Sequence, residues 1–312
     1  MKRRSDHLIG PLKATFSIVA TDPSAGQVGV AVQSKYFAVG AVVPWARAGI
    51  GAVATQARGL ARYGPTLLDA LGEGKRPQVA LEAALAADPL AAHRQIGVVH
   101  ADGEAANHTG AECLEWAGAR TGPGFSVQGN ILAGEEVVDS MVQVFVASRD
   151  SLAERLIASL EAGQTAGGDK RGQQSAALLV EQLGYEDLGV EGIDCLVDLR
   201  VDDHTEPIKE LRRLLGLWQI EEVNEQAMLR YNEADYSAAT AIMAQANNRF
   251  PGTPRILYNL ACFECLIGLS HESLNHLRQA VSLEASWREF AKSDPDFEAI
   301  RDTPEFGEIT SA

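Results

Sequence analysis

Only four cysteines, Cys113, Cys195, Cys262 and Cys265, occur in 312 residues, too few for a disulfide framework in a chain of this size. Cys262 and Cys265 have the spacing of half a metal site, but no second Cys pair follows them. In an apolar helical stretch they read as small core-filling thiols, and no metal is expected. Basic residues are scarce as well: 27 Lys and Arg against 42 Asp and Glu leave a net charge of −15. That balance argues against a nucleic-acid partner, because affinity for a phosphate backbone comes mainly from cationic contacts. Long apolar runs are also missing. The longest uncharged one, residues 36–46, contains Gly40 and Pro44 and stops at Arg47, short of the roughly 20 residues that span a bilayer. Lys2, Arg3 and Arg4 resemble the start of a signal peptide, yet Asp6, His7, Pro11 and Lys13 fall where its apolar core would be. The chain reads as cytoplasmic, with no membrane partner.

What is present is a mixed strand and helix pattern. Period-two alternation marks strands at 15–20 and 27–35 around the turn residues Asp22 to Gly26, and short apolar runs at 39–43 and 50–54 read as further strands. Helical spacing follows at 65–71 and 77–87, the latter with Pro77 in its first turn. A hairpin over Asp102-Gly103 joins 95–100 to 104–109, and strands are expected around 113–118 and 125–130. Helices at 135–148 and 152–162 come next, then a glycine-rich connector, 167–172, and strands at 175–180 and 193–201. A helix from Pro207 to about Leu215 has Gly216 as its stop. This order departs from strict βαβ alternation and fits an α+β fold: two antiparallel sheets face to face, with helices on their outer faces.

After Trp218 no strand pattern survives, and residues 218–312 carry 15 acids against 7 bases. A 34-residue offset aligns Ala227 with Ala261, Ala234 with Gly268, Ala239 with Ser273, Met243 with Leu277 and Ala246 with Ala280. Small residues at such positions let paired helices approach closely, and the segment resembles a tetratricopeptide repeat. The expected division is an extension at 1–14, a sandwich domain at 15–217 and a small all-α domain at 218–312, with a linker within 216–222.

Common catalytic motifs do not occur: no Gly-x-Ser-x-Gly, no His-Glu-x-x-His and no phosphate-binding loop. The connector holding Gly168, Asp169, Lys170 and Arg171 reads either as an anion-binding turn with inward N–H groups or as a flexible link. Asp202 and His204, one strand repeat apart, can share a face. They read as part of an anion site or as a brace for Arg171. His100 and His108 flank the hairpin turn without a third ligand and read as ordinary strand residues.

A set of segments carries a more specific signal. They include TFSIVA at 15–20, GVAVQSK at 29–35, AVGAVVPWA at 38–46, GIGAVATQ at 49–56, VQGN at 127–130, AGGDKRG at 166–172 and DLRVDDH at 198–204. Together they resemble the domain-of-unknown-function family numbered 1028, which is assigned to the N-terminal-nucleophile (Ntn) hydrolase fold. The resemblance implies a four-layer αββα sandwich over residues 15–217. It also implies an amidohydrolase that uses its first residue's side chain as nucleophile and that residue's α-amine as base. Thr15 takes the nucleophile's place, Ser34 and Lys35 stand beside it, and Asn130 is a candidate oxyanion donor. A turn centred between Ser24 and Ala25 pairs residue i with 49 − i, which sets Thr15 opposite Ser34. Fourteen residues precede Thr15, so this chemistry requires cleavage between Ala14 and Thr15. The substrate expected is a small-molecule amide, handled without a cofactor by a homo-oligomer. The alternative is a non-catalytic member whose C-terminal helices bind a protein.

Overall fold

The computed structural model describes residues 15–185 and 194–311 and divides into two compact units, one through Leu214 and one from Leu215. The expected extension at 1–14, with the Ala14 side of the expected cleavage, lies outside the described residues.

The first unit is built on the hairpin of β1 (Thr15–Asp22) and β2 (Gln27–Ser34). The Asp22 carboxylate accepts the Ser24 and Ala25 N–H groups, and Gly26, at φ 65°, supplies the left-handed residue the turn needs. The register is 49 − i from Thr15 opposite Ser34 to Asp22 opposite Gln27, as the turn residues imply. On the far edge of β1 comes β8 (Phe125–Asn130), followed by β7 (Gly118–Gly122). Beyond β2 lie β9 (Ser175–Gln182) and β10 (Cys195–Val201), completing a six-stranded antiparallel sheet. A second antiparallel sheet runs β3 (Pro44–Arg47), β4 (Gly51–Ala57), β5 (Arg94–His100), β6 (Ala105–Thr109).

Alternation explains the packing. Val28, Val30 and Val32 of β2 meet Ala52 and Ala54 of β4 in one apolar cluster between the sheets. The intervening residue Val53 packs on the other face against Leu67, Leu71 and Leu81 of α1 (Tyr63–Gly72) and α2 (Pro77–Ala86). The helices α3 (Glu136–Ala147) and α4 (Leu152–Thr165) lie against the six-stranded sheet. Covered on both faces, the central strands carry near-continuous apolar runs.

Three expectations need correction. Residues 39–43 are not a strand: Val39–Ala41 form a 3-10 turn, and β3 begins at Pro44. Two neighbours take the backbone donors, Ser175 Oγ accepting from Val39 N–H and the Asp202 carbonyl from Ala38 N–H, which bends the run away from a ladder. Residues 113–117 form turns, with the Leu114 and Trp116 carbonyls accepting from Ile131 and Leu132, and the strand begins at Gly118. Gly216 ends nothing, because α5 (Pro207–Asn232) continues through it and through the expected linker. A helical glycine costs about 1 kcal/mol, which the burial of Leu211 and Leu215 outweighs.

The second unit adds α6 (Tyr236–Arg249), α7 (Pro254–Leu266), α8 (Ser270–Leu283), α9 (Trp287–Ser293) and α10 (Pro304–Thr310). The aligned pairs at the 34-residue offset recur physically. Ala239, Met243 and Ala246, like Ser273, Leu277 and Ala280, are buried, and Ser273 is satisfied by donating to the Ala261 carbonyl at 2.7 Å. Ala234 and Gly268 both adopt left-handed conformations, φ 58° and 83°. A Cβ is disfavoured there, so Ala234→Gly should stabilise the protein by about 0.5–1 kcal/mol in urea denaturation. Unchanged or lowered stability would count against that reading of the turn.

Among the described residues, no helix is long and apolar enough to cross a membrane.

Candidate functional site

The strand registers bring separate segments into one row. Thr15 pairs with Ser34 on one side and Asn130 on the other, and Ser34 pairs in turn with Ser175. Thr15 Oγ1 donates to Ser34 Oγ at 3.0 Å, and all four side chains are buried. In the facing sheet the corresponding row is Gln56, Gln95 and Thr109.

Between the rows runs a directed chain of hydrogen bonds. Ser126 Oγ donates to Gln128 Oε1 at 2.9 Å, and Gln128 Nε2 to Ser17 Oγ at 2.7 Å. Ser17 Oγ donates to Gln56 Oε1 at 2.7 Å, and Gln56 Nε2 to Gln95 Oε1 at 2.9 Å. Gln56 Nε2 also lies 3.2 Å from the Thr15 carbonyl, while Asn130 Nδ2 donates to Gln95 Oε1 at 3.0 Å. Gln95 Nε2 reaches the Gly129 carbonyl at 2.8 Å. A Cβ on Gly97 would stand 2.1 Å from Gln128 Oε1, so that glycine admits the amide between the sheets. Buried polar groups are tolerated only when bonded, and this set is paired from end to end. Each member named is a neutral hydroxyl or amide, suited to fixing geometry rather than storing a proton.

The other residues marked from the sequence lie around the same strand ends. Lys35 N–H donates to Asp169 Oδ2 at 3.0 Å, whereas its Nζ reaches the Gln173 carbonyl at 3.1 Å on the exposed side. The Ser34 hydroxyl, bonded to Thr15, and the Lys35 ammonium, on the exposed side just past the end of β2, therefore part company. Asp169 is buried and accepts from the Arg171 N–H at 2.9 Å and its guanidinium at 3.1 Å. Gly168, at φ 56°, makes the turn beside it, while Lys170 is exposed. Asp202 is exposed, with its carbonyl holding Ala38 N–H. His204 shares a cavity of about 330 Å³ with Lys35, Gln174 and Asp203. The structure thus groups Thr15, Ser34 and Asn130, pairs Asp169 with Arg171, and sets Lys35 with His204.

Sequence reasoning passed over Ser17, Gln56, Gln95 and Gln128 as site residues. The available signal was a glutamine within otherwise Val-, Ala- and Gly-rich strands, a polar residue where both faces are covered.

Next to Gln95, Arg94 forms a buried ion pair with Asp88 at 2.7 Å, and Tyr63 OH donates to the same carboxylate at 2.9 Å. Burial alone would raise the Asp88 pKa. The bonds from Arg94, the Leu90 N–H and Tyr63 outweigh it and hold the value down at about 2. A depressed folded-state pKa contributes stability above the ordinary carboxylate range and loses it as pH falls toward 2. Urea denaturation between pH 6 and pH 2 should show about 2 kcal/mol lost through this window, and Asp88→Asn should remove that component while lowering stability at pH 7. An unaltered acid limb in Asp88→Asn would refute the assignment.

Cys262, Asp294 and Asp296 form the one three-residue group among the described residues whose ligand atoms lie within 4.8 Å of one another. Tyr258 OH donates to Asp294 at 2.7 Å and Tyr231 OH to Asp296 at 2.8 Å, and burial keeps the Cys262 thiol protonated well above its ordinary range. The group acts as a hydrogen-bonded clasp within the helical unit.

An antiparallel two-sheet unit with a buried hydroxyl row, followed by helices, defines the class, and comparison places it. Residues 15–211 match a family of unknown function, DUF1028, and the chain belongs to that family. It is similar to a crystal structure of a family member from Silicibacter pomeroyi at 32% identity, with a TM-score of 0.59 over 65% of this chain and 88% of that one. No curated protein matches the chain.

Proposed function

We propose that the first unit is a four-layer αββα Ntn-type domain that hydrolyses a C–N amide bond in a small molecule. The observation that carries this reading is the Thr15 hydroxyl, buried at the head of central strand β1 and bonded to Ser34 Oγ. With the Ala14–Thr15 bond cleaved, the Thr15 α-amine titrates near 7.7–8.0 and can take the hydroxyl proton at neutral pH. Oγ1 then attacks the amide carbonyl, and the ammonium returns its proton to the leaving nitrogen as the C–N bond breaks. Water, deprotonated by the same amine, releases the acid from the Thr15 ester. Asn130, next to Thr15 in register and oriented through Gln95, has a second N–H available for the oxyanion. No cofactor enters this scheme. A cytoplasmic homo-oligomer completes the proposal.

Intact mass of purified protein, together with an amide library screened against full-length chain and a chain beginning at Thr15, tests the reading. Loss of residues 1–14 or activity gained on exposing Thr15 supports it. Inertness of both forms overturns it in favour of a binding role. For that second reading, the helical unit repeats its turn geometry at a 34-residue offset, as tetratricopeptide-like domains do, and leaves Phe290 62% and Leu283 55% exposed. Such a surface suits a protein partner.

A further inference from the structure

The strand ends that flank Thr15 collect cations in a strongly acidic chain, and most of them are visibly employed. Arg94 is neutralised by Asp88, Arg171 meets Asp169, and Lys35 Nζ rests on the Gln173 carbonyl. Arg58 differs. Its Nε and Nη1 atoms are buried, and neither has a hydrogen-bond acceptor among the described residues. Guanidinium N–H groups withdrawn from water are normally matched by carboxylates or carbonyls, so this pair calls for an acceptor.

The position of Arg58 is built rather than incidental. Its N–H donates to the His93 carbonyl at 3.2 Å, and its own carbonyl accepts from the Arg94 guanidinium, which Asp88 holds. Ala57, the preceding residue, is left-handed at φ 65°, a conformation unfavourable for alanine and retained where the surroundings enforce it. Two residues back stands Gln56, which bonds the Thr15 carbonyl. At 3.8 Å per peptide step, the Arg58 and Gln56 Cα atoms are at most about 7.6 Å apart. The unmatched guanidinium is therefore carried two residues along the chain from a side chain that touches the Thr15 carbonyl.

We propose that Arg58 is the specificity-determining residue of this site and binds a carboxylate carried by the substrate. The substrate class is then an amide that also bears a free carboxylate. This inference rests on the Thr15 site being where substrate binds, and it narrows the amide class given above. A carboxylate satisfies a guanidinium in a way a neutral amide or a bare carbonyl does not, and the charge-assisted bond is the stronger one.

Succinamate and succinamide make a matched pair of probes, since they differ by a carboxylate against a second amide at nearly equal size. Binding of each to the full-length chain, followed by ligand-observed NMR titration, should favour succinamate at least tenfold. Arg58→Met should abolish that preference, and Arg58→Lys should keep part of it. In anion-free buffer Arg58→Met should leave Tm unchanged or raise it by about 2–4 °C, because it removes a buried cation that lacks a partner. Equal binding of the two probes, no binding of either, or an intact preference in Arg58→Met overturns the proposal. So does a fall in Tm of more than about 5 °C, which would mark Arg58 as a structural brace. Hydrolysis separates this from the nucleophile reading. Carboxylate preference without turnover in a chain beginning at Thr15 removes the nucleophile and leaves Arg58, whereas turnover without preference removes Arg58 alone.

Discussion

In a chain beginning at Thr15, Thr15→Ala should lower kcat/KM for amide hydrolysis by at least about 10³-fold while shifting Tm by only a few degrees. The asymmetry follows from the geometry. The substitution deletes one hydroxyl that bonds Ser34, at about 1 kcal/mol, but leaves β1, its register and the glutamine chain in place. It also removes the only atom that would form the acyl ester. Thr15→Ser keeps that atom and should retain activity within about 10²-fold, the loss reflecting a less restrained χ1. The pH profile adds an independent check. With the α-amine as base, log kcat/KM should rise with unit slope up to about pH 8 and then level, because the amine must be neutral to accept the proton. Thr15→Ala with full activity, or a flat profile across that range, would remove Thr15 from the chemistry.

How far the sequence carries this site depends on the distance over which residues must meet. The β1–β2 register is local: Asp22, Ser24 and Gly26 specify the turn, and the turn specifies that Thr15 faces Ser34. Where most strands lie also follows from alternation and turn residues, but that β8 pairs with β1 and β9 with β2 does not, because those neighbours are more than 90 residues apart. Where a segment's hydrogen-bond partners come from afar, alternation misleads. Residues 39–43 look like a strand, yet Ser175 and Asp202, more than 130 residues away, hold their backbone in a turn. Gly216 is a good stop signal on its own, overridden because the helix buries apolar residues before it. The glutamines are the extreme case. Gln56, Gln95 and Gln128 sit on three strands of two sheets, and each alone is an unremarkable amide. Their meaning appears only once the sheets face each other and the amides align donor to acceptor. Arg58 is similarly silent in sequence, since a loop arginine ordinarily faces water.

Gln95 should prove the least replaceable member of that network. Its carbonyl oxygen accepts from Gln56 and Asn130, and its amide nitrogen lies 2.8 Å from the Gly129 carbonyl, 3.2 Å from the Gly118 carbonyl and 3.0 Å from Thr109 Oγ1. Gln95→Leu keeps approximate size and removes every one of these bonds. The stranded groups are buried, and each buried donor or acceptor left unmatched costs about 1–3 kcal/mol against a favourable apolar contribution of similar size for a single leucine. The net expectation is a loss of about 3–5 kcal/mol in urea denaturation, large for one substitution in a domain of ordinary stability. Because Gln95 orients both Gln56 and Asn130, the effects of Gln95→Leu and Asn130→Ala should be non-additive by about 1 kcal/mol or more in a double-mutant cycle. Any hydrolysis of an amide substrate should fall with Asn130 misplaced, even where Gln95→Leu remains folded. A stability loss below about 1 kcal/mol, with strict additivity, would mean the amides are spectators that pack between the sheets without holding the Thr15 row in place.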